Sequence, residues 1–210
     1  MTDHEAPDAS QAPPAMRRSR AERLAIELVE TIALTVVLFL VIQSLIAQPF
    51  QVQKYSMERT FEQGQYVLVD RLSHLWSAYQ RGQVVVFAQP PAIHDGTEPF
   101  IKRVIGVGGD AVEIRVGLVY VNGTALDEPY LYRNDAGVAE PTLTNGGDAR
   151  WVVPEGDLFV MGDHRQVSED SRVFGPIPVS SVIGRGVVRY WPLSAFGIVQ
   201  APAYAGIAAP

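Results

Sequence analysis

The segment that most limits how this chain can fold is Ala25–Ala47, AIELVETIALTVVLFLVIQSLIA, which carries no charge from Thr31 to Ala47. A helix needs about 20 apolar residues to cross the hydrocarbon core of a bilayer, so the segment is just long enough. No polar face interrupts Thr31 to Ile42, which argues against a helix half-buried in a soluble domain. Arg17, Arg18, Arg20 and Arg23 precede the run, and no such cluster follows it. That asymmetry predicts a cytoplasmic N-terminus, with the rest of the chain on the extracytoplasmic side of the cell membrane. A cleavable signal peptide has the same charge order, but its apolar core is usually ~7–15 residues long and a small-residue cut site follows it. No Ala-x-Ala follows here, so an uncleaved single-pass anchor at 25–47 is expected. The polar, Pro- and Ala-rich start (MTDHEAPDASQAPPA) makes residues 1–24 read as a disordered, basic-ended tail.

Past Gln48 the texture changes to short runs rich in Val, Ile and aromatic residues. These are Tyr66–Leu72, Gln83–Ala88, Phe100–Val107, Ala111–Gly123, Asp157–Asp163 and Val182–Trp191, punctuated by Gly, Pro and Asn. The pattern predicts a mainly β domain of curled antiparallel sheet over 48–200. One short helix is expected near Leu72–Gln80 and a long loop over Leu131–Arg150, with a flexible tail over 201–210.

Composition removes several classes of function. A net charge of −6 implies no basic face for nucleic acid. The absence of cysteine excludes disulfides, thiolate zinc sites and a cysteine nucleophile, and four scattered His show no ligand spacing. No metal or cofactor is expected.

Three stretches hold residues suited to chemistry: KYSMERTF around Ser56, EPFIKRVIGVGGD around Lys102, and MGDHRQVSEDSR from Met161 to Arg172. On a strand, Phe100, Lys102 and Val104 share one face and Ile101, Arg103 and Ile105 the other. A cation between two apolar residues fits an edge strand whose Lys reaches to water. It also fits a desolvated Lys, whose pKa of about 10.4 burial can lower by ~3–5 units, making it a base for a Ser hydroxyl. The adjacent Asp163 and His164 make a poor Ser–His–Asp arrangement, because neighbours on an extended chain point in opposite directions.

SMERT, RGQVVVF, FIKRVIGVGGD, VYVNG, EPY, VPEGDLFVMGD and DHRQVSEDSRVFGPI follow one another in an order that resembles the type I signal peptidases, over about Arg17 to Trp191. The resemblance implies a membrane-bound Ser–Lys endopeptidase that removes signal peptides from exported preproteins after small residues, as in Ala-x-Ala. Ser56 matches the nucleophile and Lys102 the general base. Ser168 matches a Ser that hydrogen-bonds the Lys. Arg103 and Asp170 match residues that pair near the site, Asp163 and Arg172 match structural polar residues, and Met57 is expected to touch substrate. The backbone N–H of Ser56 would stabilise the oxyanion, and the substrate would bind as an added strand.

The chain departs from the family at Lys54, commonly Gly or Ser; at Arg59 and Gly108, commonly Pro; and at His164 and Val167, commonly Asn. Lys54 leaves three roles open: an oxyanion donor, a spectator, or a charge acting on Lys102. The altered surroundings of Ser56 motivate an alternative, a membrane-anchored relative of weakened activity that binds exported chains.

Overall fold

The computed structural model describes residues 19–41, 47–91, 93, 98–144, 146, 147, 149–204, 206 and 207. It divides into two compact units, 1–41 and 42–210. The predicted disorder of residues 1–18 and the anchor segment 42–46 lie outside the described residues.

The first unit is one helix, α1 (Arg20–Val41), long and apolar enough to cross a membrane. It begins earlier than expected, because Ser19 caps it. The Ser19 hydroxyl accepts from Glu22 N at 3.1 Å, and Glu22 returns a bond from Ser19 N at 3.1 Å. This reciprocal pair satisfies two of the free N–H groups of the first turn.

In the second unit the described residues form β1 (Ala47–Gln51), β2 (Tyr66–Asp70), β3 (Val84–Phe87), β4 (Phe100–Val107), β5 (Ala111–Arg115), β6 (Leu118–Val121), β7 (Thr124–Ala125), β8 (Ala149–Val152), β9 (Asp157–Met161), the short helix α2 (Ser171–Phe174), β10 (Ile177–Pro178), β11 (Val182–Trp191) and β12 (Gly197–Ile198). The larger sheet runs β1-β2-β11-β3-β4-β9-β10, with β12 added to β11; the smaller runs β7-β6-β5-β8. All pairings are antiparallel. Register shifts in β11 and β4 mark irregularities of the kind that bend and coil a sheet.

Strand β4 organises the core. Alternation along β3 sends Val84 and Val86 into one apolar cluster with Ile101, Met57 and Phe61, and Val85 and Phe87 into a second with Phe100 and Val104. Farther along, Ile105 enters a third cluster with Val112, Phe159 and Met161. From Arg103 onward β4 lies between β3 and β9, while at Phe100–Lys102 only β3 pairs with it among the described strands. Lys102 is nevertheless only 4% exposed, so the reading of a Lys whose stem reaches to water is corrected.

The expected run Ala111–Gly123 is a hairpin instead of one strand. Val116 (φ 51°) and Gly117 (φ 78°) turn the chain between β5 and β6, and Asn122 (φ 50°) and Gly123 (φ 80°) turn it again into β7. Asn-Gly announces such a turn, whereas a β-branched Val at positive φ does not. Strand β1 was missed because Pro49 reads as a breaker. At the sheet margin its missing N–H costs no ladder bond, which is where Pro is tolerated. The expected helix over Leu72–Gln80 is a single 3-10 turn, Ser73–Leu75. The long loop ends early, its last residues opening β8. The C-terminal segment is not free of the domain as far as Tyr204: its hydroxyl meets that of Tyr130 at 2.7 Å, and Pro202 lies against Gly82.

Candidate active site

Ser56 lies in a 3-10 turn, Tyr55–Met57, that ends the extended path from β1. Phe61 N closes on Met57 O at 2.7 Å, and Met57 itself is fully buried in the first core cluster. Met57 thus anchors the turn from inside. It is not among the residues lining the cleft beside Ser56. The Ser56 carbonyl accepts from His164 N at 3.1 Å, which joins this turn to the segment after β9.

Lys102 Nζ donates to Ser56 Oγ at 2.6 Å, and the two residues are 4% and 5% exposed. The bond crosses 46 residues of sequence, because β4 passes behind the turn. Burial is the main influence on the Lys102 ammonium, pulling its pKa from 10.5 to about 8; Asp170, Asp163 and Glu169 oppose the change, and the Lys54 charge adds to it. Desolvation disfavours the charged form of a base, so the neutral amine becomes the main form above about pH 8. Both residues open on a cleft of ≈ 450 Å³, including open solvent, walled by Phe50, Pro99, Phe100 and Ile101 and rimmed by Gln53, Lys54 and Glu98.

Two buried ion pairs brace this arrangement, and they differ from the pairing expected. Arg103 pairs with Asp163, and Asp170 with Arg172. Arg103 also donates to Gly82 O at 2.7 Å and to Thr60 Oγ1 at 3.1 Å. Asp170 caps α2, accepting from Arg172 N at 3.2 Å and from Arg172 Nε at 2.8 Å, and it accepts from Gly162 N at 3.0 Å. Burial alone would raise the Asp170 carboxyl, but the Arg172 guanidinium and these donors hold it below its ordinary value. The guanidinium of Arg172 reaches on to Leu143 O at 3.0 Å and Arg165 O at 2.6 Å, fastening the long loop to the site.

Ser168 is brought beside the turn but forms no bond to Lys102. Its hydroxyl is buried beside Asp170, whose carboxyl it helps to hold low. A Cβ added to Gly162 would stand 2.3 Å from Ser168 Oγ and 2.5 Å from Ser56 O, which means only glycine fits between them. Gly162 was missed because a single Gly in a polar run looks like an ordinary turn.

His164 points away from Ser56. Its Nδ1 lies 2.9 Å from Glu58 Oε2, and its ring stacks on Tyr132 with centroids 3.8 Å apart. The Ser–His–Asp alternative is thereby excluded. Arg165 was also overlooked. It is buried, donates to Gly162 O at 2.9 Å and pairs with Glu128. Its neighbours in sequence are polar, and nothing in the local pattern separates it from a solvated Arg. Among the described residues no cluster of His, Asp and Glu is suited to a metal.

A serine hydroxyl held by a buried, partly neutral lysine at the wall of a cleft is the arrangement used by lysine-assisted serine hydrolases. The chain belongs to the family described as Signal peptidase, peptidase S26, whose model matches residues 25–191, and so to the serine endopeptidases. Signal peptidase I of Leptolyngbya laminosa is 33% identical over 96% of this chain and 97% of its own. Signal peptidase IB of Staphylococcus aureus (strain Mu50 / ATCC 700699) is 33% identical over 81% of this chain and 92% of its own. A crystal structure of a signal peptidase I from Enterococcus faecalis V583 aligns with 52% of this chain and 97% of its own, at 34% identity and a TM-score of 0.44.

Proposed function

We propose that this chain is a membrane-anchored, active signal peptidase in which Ser56 is the nucleophile and Lys102 the general base. The observation that carries the reading is the 2.6 Å contact between Lys102 Nζ and Ser56 Oγ, both buried at the wall of the cleft. In the neutral form, Lys102 takes the Ser56 proton as Oγ attacks the scissile carbonyl. The Ser56 backbone N–H stabilises the developing oxyanion, and the Lys102 ammonium then protonates the leaving amine. Water, deprotonated by the same amine, releases the acyl group and restores Ser56.

The substrates are exported preproteins bound as an extended strand. Strand β9 pairs with β4 only from Arg103 onward, which leaves the backbone of Phe100–Lys102 paired on the β3 side alone among the described strands. A peptide adding there would send alternate side chains into the apolar cleft, which suits small residues at −1 and −3. Arg103, Asp163, Asp170 and Arg172 hold the two segments that carry and surround the pair. Helix α1 is the single-pass anchor, with the N-terminus cytoplasmic and the β domain extracytoplasmic. It confines enzyme and preprotein to one membrane surface.

The test is cleavage of a preprotein with an Ala-x-Ala site by the full-length protein in detergent or bilayers. Wild type and Lys54→Ala should cleave, and Ser56→Ala and Lys102→Ala should not. An inactive wild type would instead favour a protein that binds exported chains without processing them.

A further inference from the structure

Lys102 shares its surroundings with a second cation. The Nζ atoms of Lys54 and Lys102 each lie 5.1 Å from the centroid of the Phe100 ring, so they are at most twice that distance apart. Lys54 is the last extended residue before the Ser56 turn (φ −117°, ψ 161°), and it lines the same cleft as Ser56 and Lys102. Its side chain is exposed where that of Lys102 is enclosed. Phe50, Pro99, Phe100 and Ile101 line the same cleft, and low-dielectric walls concentrate the field of a charge at a cleft's rim.

We infer that Lys54 is a positioning residue for the proton transfer: its charge, held beside the same Phe100 ring, disfavours a second ammonium at Lys102 and enlarges the fraction of Lys102 able to take the Ser56 proton near neutral pH. The inference rests on Ser56 and Lys102 being nucleophile and base. The charges around Lys102 make the role useful. Asp163 after β9, Asp170 at the start of α2 and Glu169 beside it all favour the protonated amine, while Lys54 acts with burial in the other direction. Asp163 and Asp170 are each engaged by a guanidinium, Arg103 and Arg172, and Glu98 adds one carboxylate to the cleft rim. A glycine or serine at position 54 would leave burial to oppose the three acids unaided. Because Lys54 is exposed, water and salt weaken its effect.

The experiment measures kcat/KM against pH from 6 to 10 for the full-length protein in detergent, on a preprotein with an Ala-x-Ala site. Wild type is compared with Lys54→Met, Lys54→Arg and Lys54→Glu, with Ser56→Ala and Lys102→Ala as controls. Lys54→Met, which keeps an apolar stem over Phe100, should lose roughly three- to tenfold near pH 7, as expected for one partly screened charge. The loss should shrink as pH rises toward 10 and in high salt. Lys54→Glu should lose more, and Lys54→Arg should behave as wild type. A loss of equal size at every pH would overturn the inference, since Lys54 would then touch the oxyanion or the substrate. So would an unchanged profile in Lys54→Met and Lys54→Glu. Cleavage by Ser56→Ala or Lys102→Ala would defeat the underlying assignment instead, and the controls read that separately.

Discussion

Arg103 grips Asp163 through two parallel hydrogen bonds, Nε to Oδ1 at 2.8 Å and Nη2 to Oδ2 at 2.7 Å, with both side chains almost completely enclosed. Thr60 Oγ1 donates to the same carboxylate at 2.5 Å. One carboxylate therefore joins β4 immediately after Lys102, the loop after Ser56, and the segment after β9.

Removing one half of this pair leaves a buried charge without its partner. Arg103→Met should destabilise the protein by about 3–5 kcal/mol and abolish cleavage. Adding Asp163→Leu to that variant should restore part of the stability but not the activity. Denaturant unfolding of the full-length protein in detergent, followed by tryptophan fluorescence, reads both. A single variant as stable as wild type would refute the clamp.

Lys102 places activity and stability in opposition. Its folded-state pKa is depressed to about 8, so between there and 10.5 the unfolded chain binds more protons and stability rises with pH. Below about 8 both states are protonated, and the folded state carries the full cost of an enclosed cation. Lys102→Met should therefore be inactive yet more stable at pH 7, by on the order of 2 kcal/mol. Its advantage should disappear at pH values above 10.5. In wild type, kcat/KM should climb as pH rises through 8 and the neutral amine accumulates.

Gly162 admits no side chain. In Gly162→Ala the new methyl would meet a backbone oxygen at Ser56 as well as the Ser168 hydroxyl, and the backbone oxygen cannot rotate away. The Ser56 turn must shift, and a displacement of about 1 Å at a reacting group can cost on the order of 100-fold in rate. Activity loss with near-native circular dichroism is expected. Full activity would show that the close approach relaxes without consequence.

Arg59 holds φ at 81°, and its Nη1 donates to Leu131 O at 3.0 Å. Proline is fixed near −65°, so Arg59→Pro should cost about 3 kcal/mol or more, although Pro is the residue the motif resemblance leads one to expect there. Arg59→Gly relieves the left-handed strain while losing one exposed hydrogen bond, and should remain within about 1 kcal/mol of wild type. Thermal unfolding of the two variants side by side tests this, and a stable Arg59→Pro would contradict it.

Local pattern is dense where a residue's neighbours constrain it. The runs at Tyr66, Gln83, Phe100, Asp157 and Val182 all became strands, two of them with the predicted bounds, Phe100–Val107 and Val182–Trp191. The pattern failed where a residue breaks local custom for a nonlocal reason: Pro49 in a marginal strand, Val116 in a left-handed turn, Gly162 under a contact from another segment. Lys102 stood out because a cation sits between two apolar residues on one strand face, and Ser56 only through the ordered motifs around it.

By itself the sequence determined an apolar helix behind a basic cluster, a mainly β domain, and a candidate serine and lysine, since periodicity, turn residues and ordered motifs are properties of neighbouring positions. Only the tertiary structure decided that Lys102 is enclosed instead of reaching to water, and with it the burial that draws its pKa down to about 8. It also decided which arginine holds which aspartate, since Arg103 and Asp163 lie 60 residues apart while Asp170 and Arg172 lie two apart on a capped turn. Burial and ion pairing depend on distances that the chain sets only when it closes on itself. The shared approach of Lys54 and Lys102 to one phenylalanine ring arises the same way.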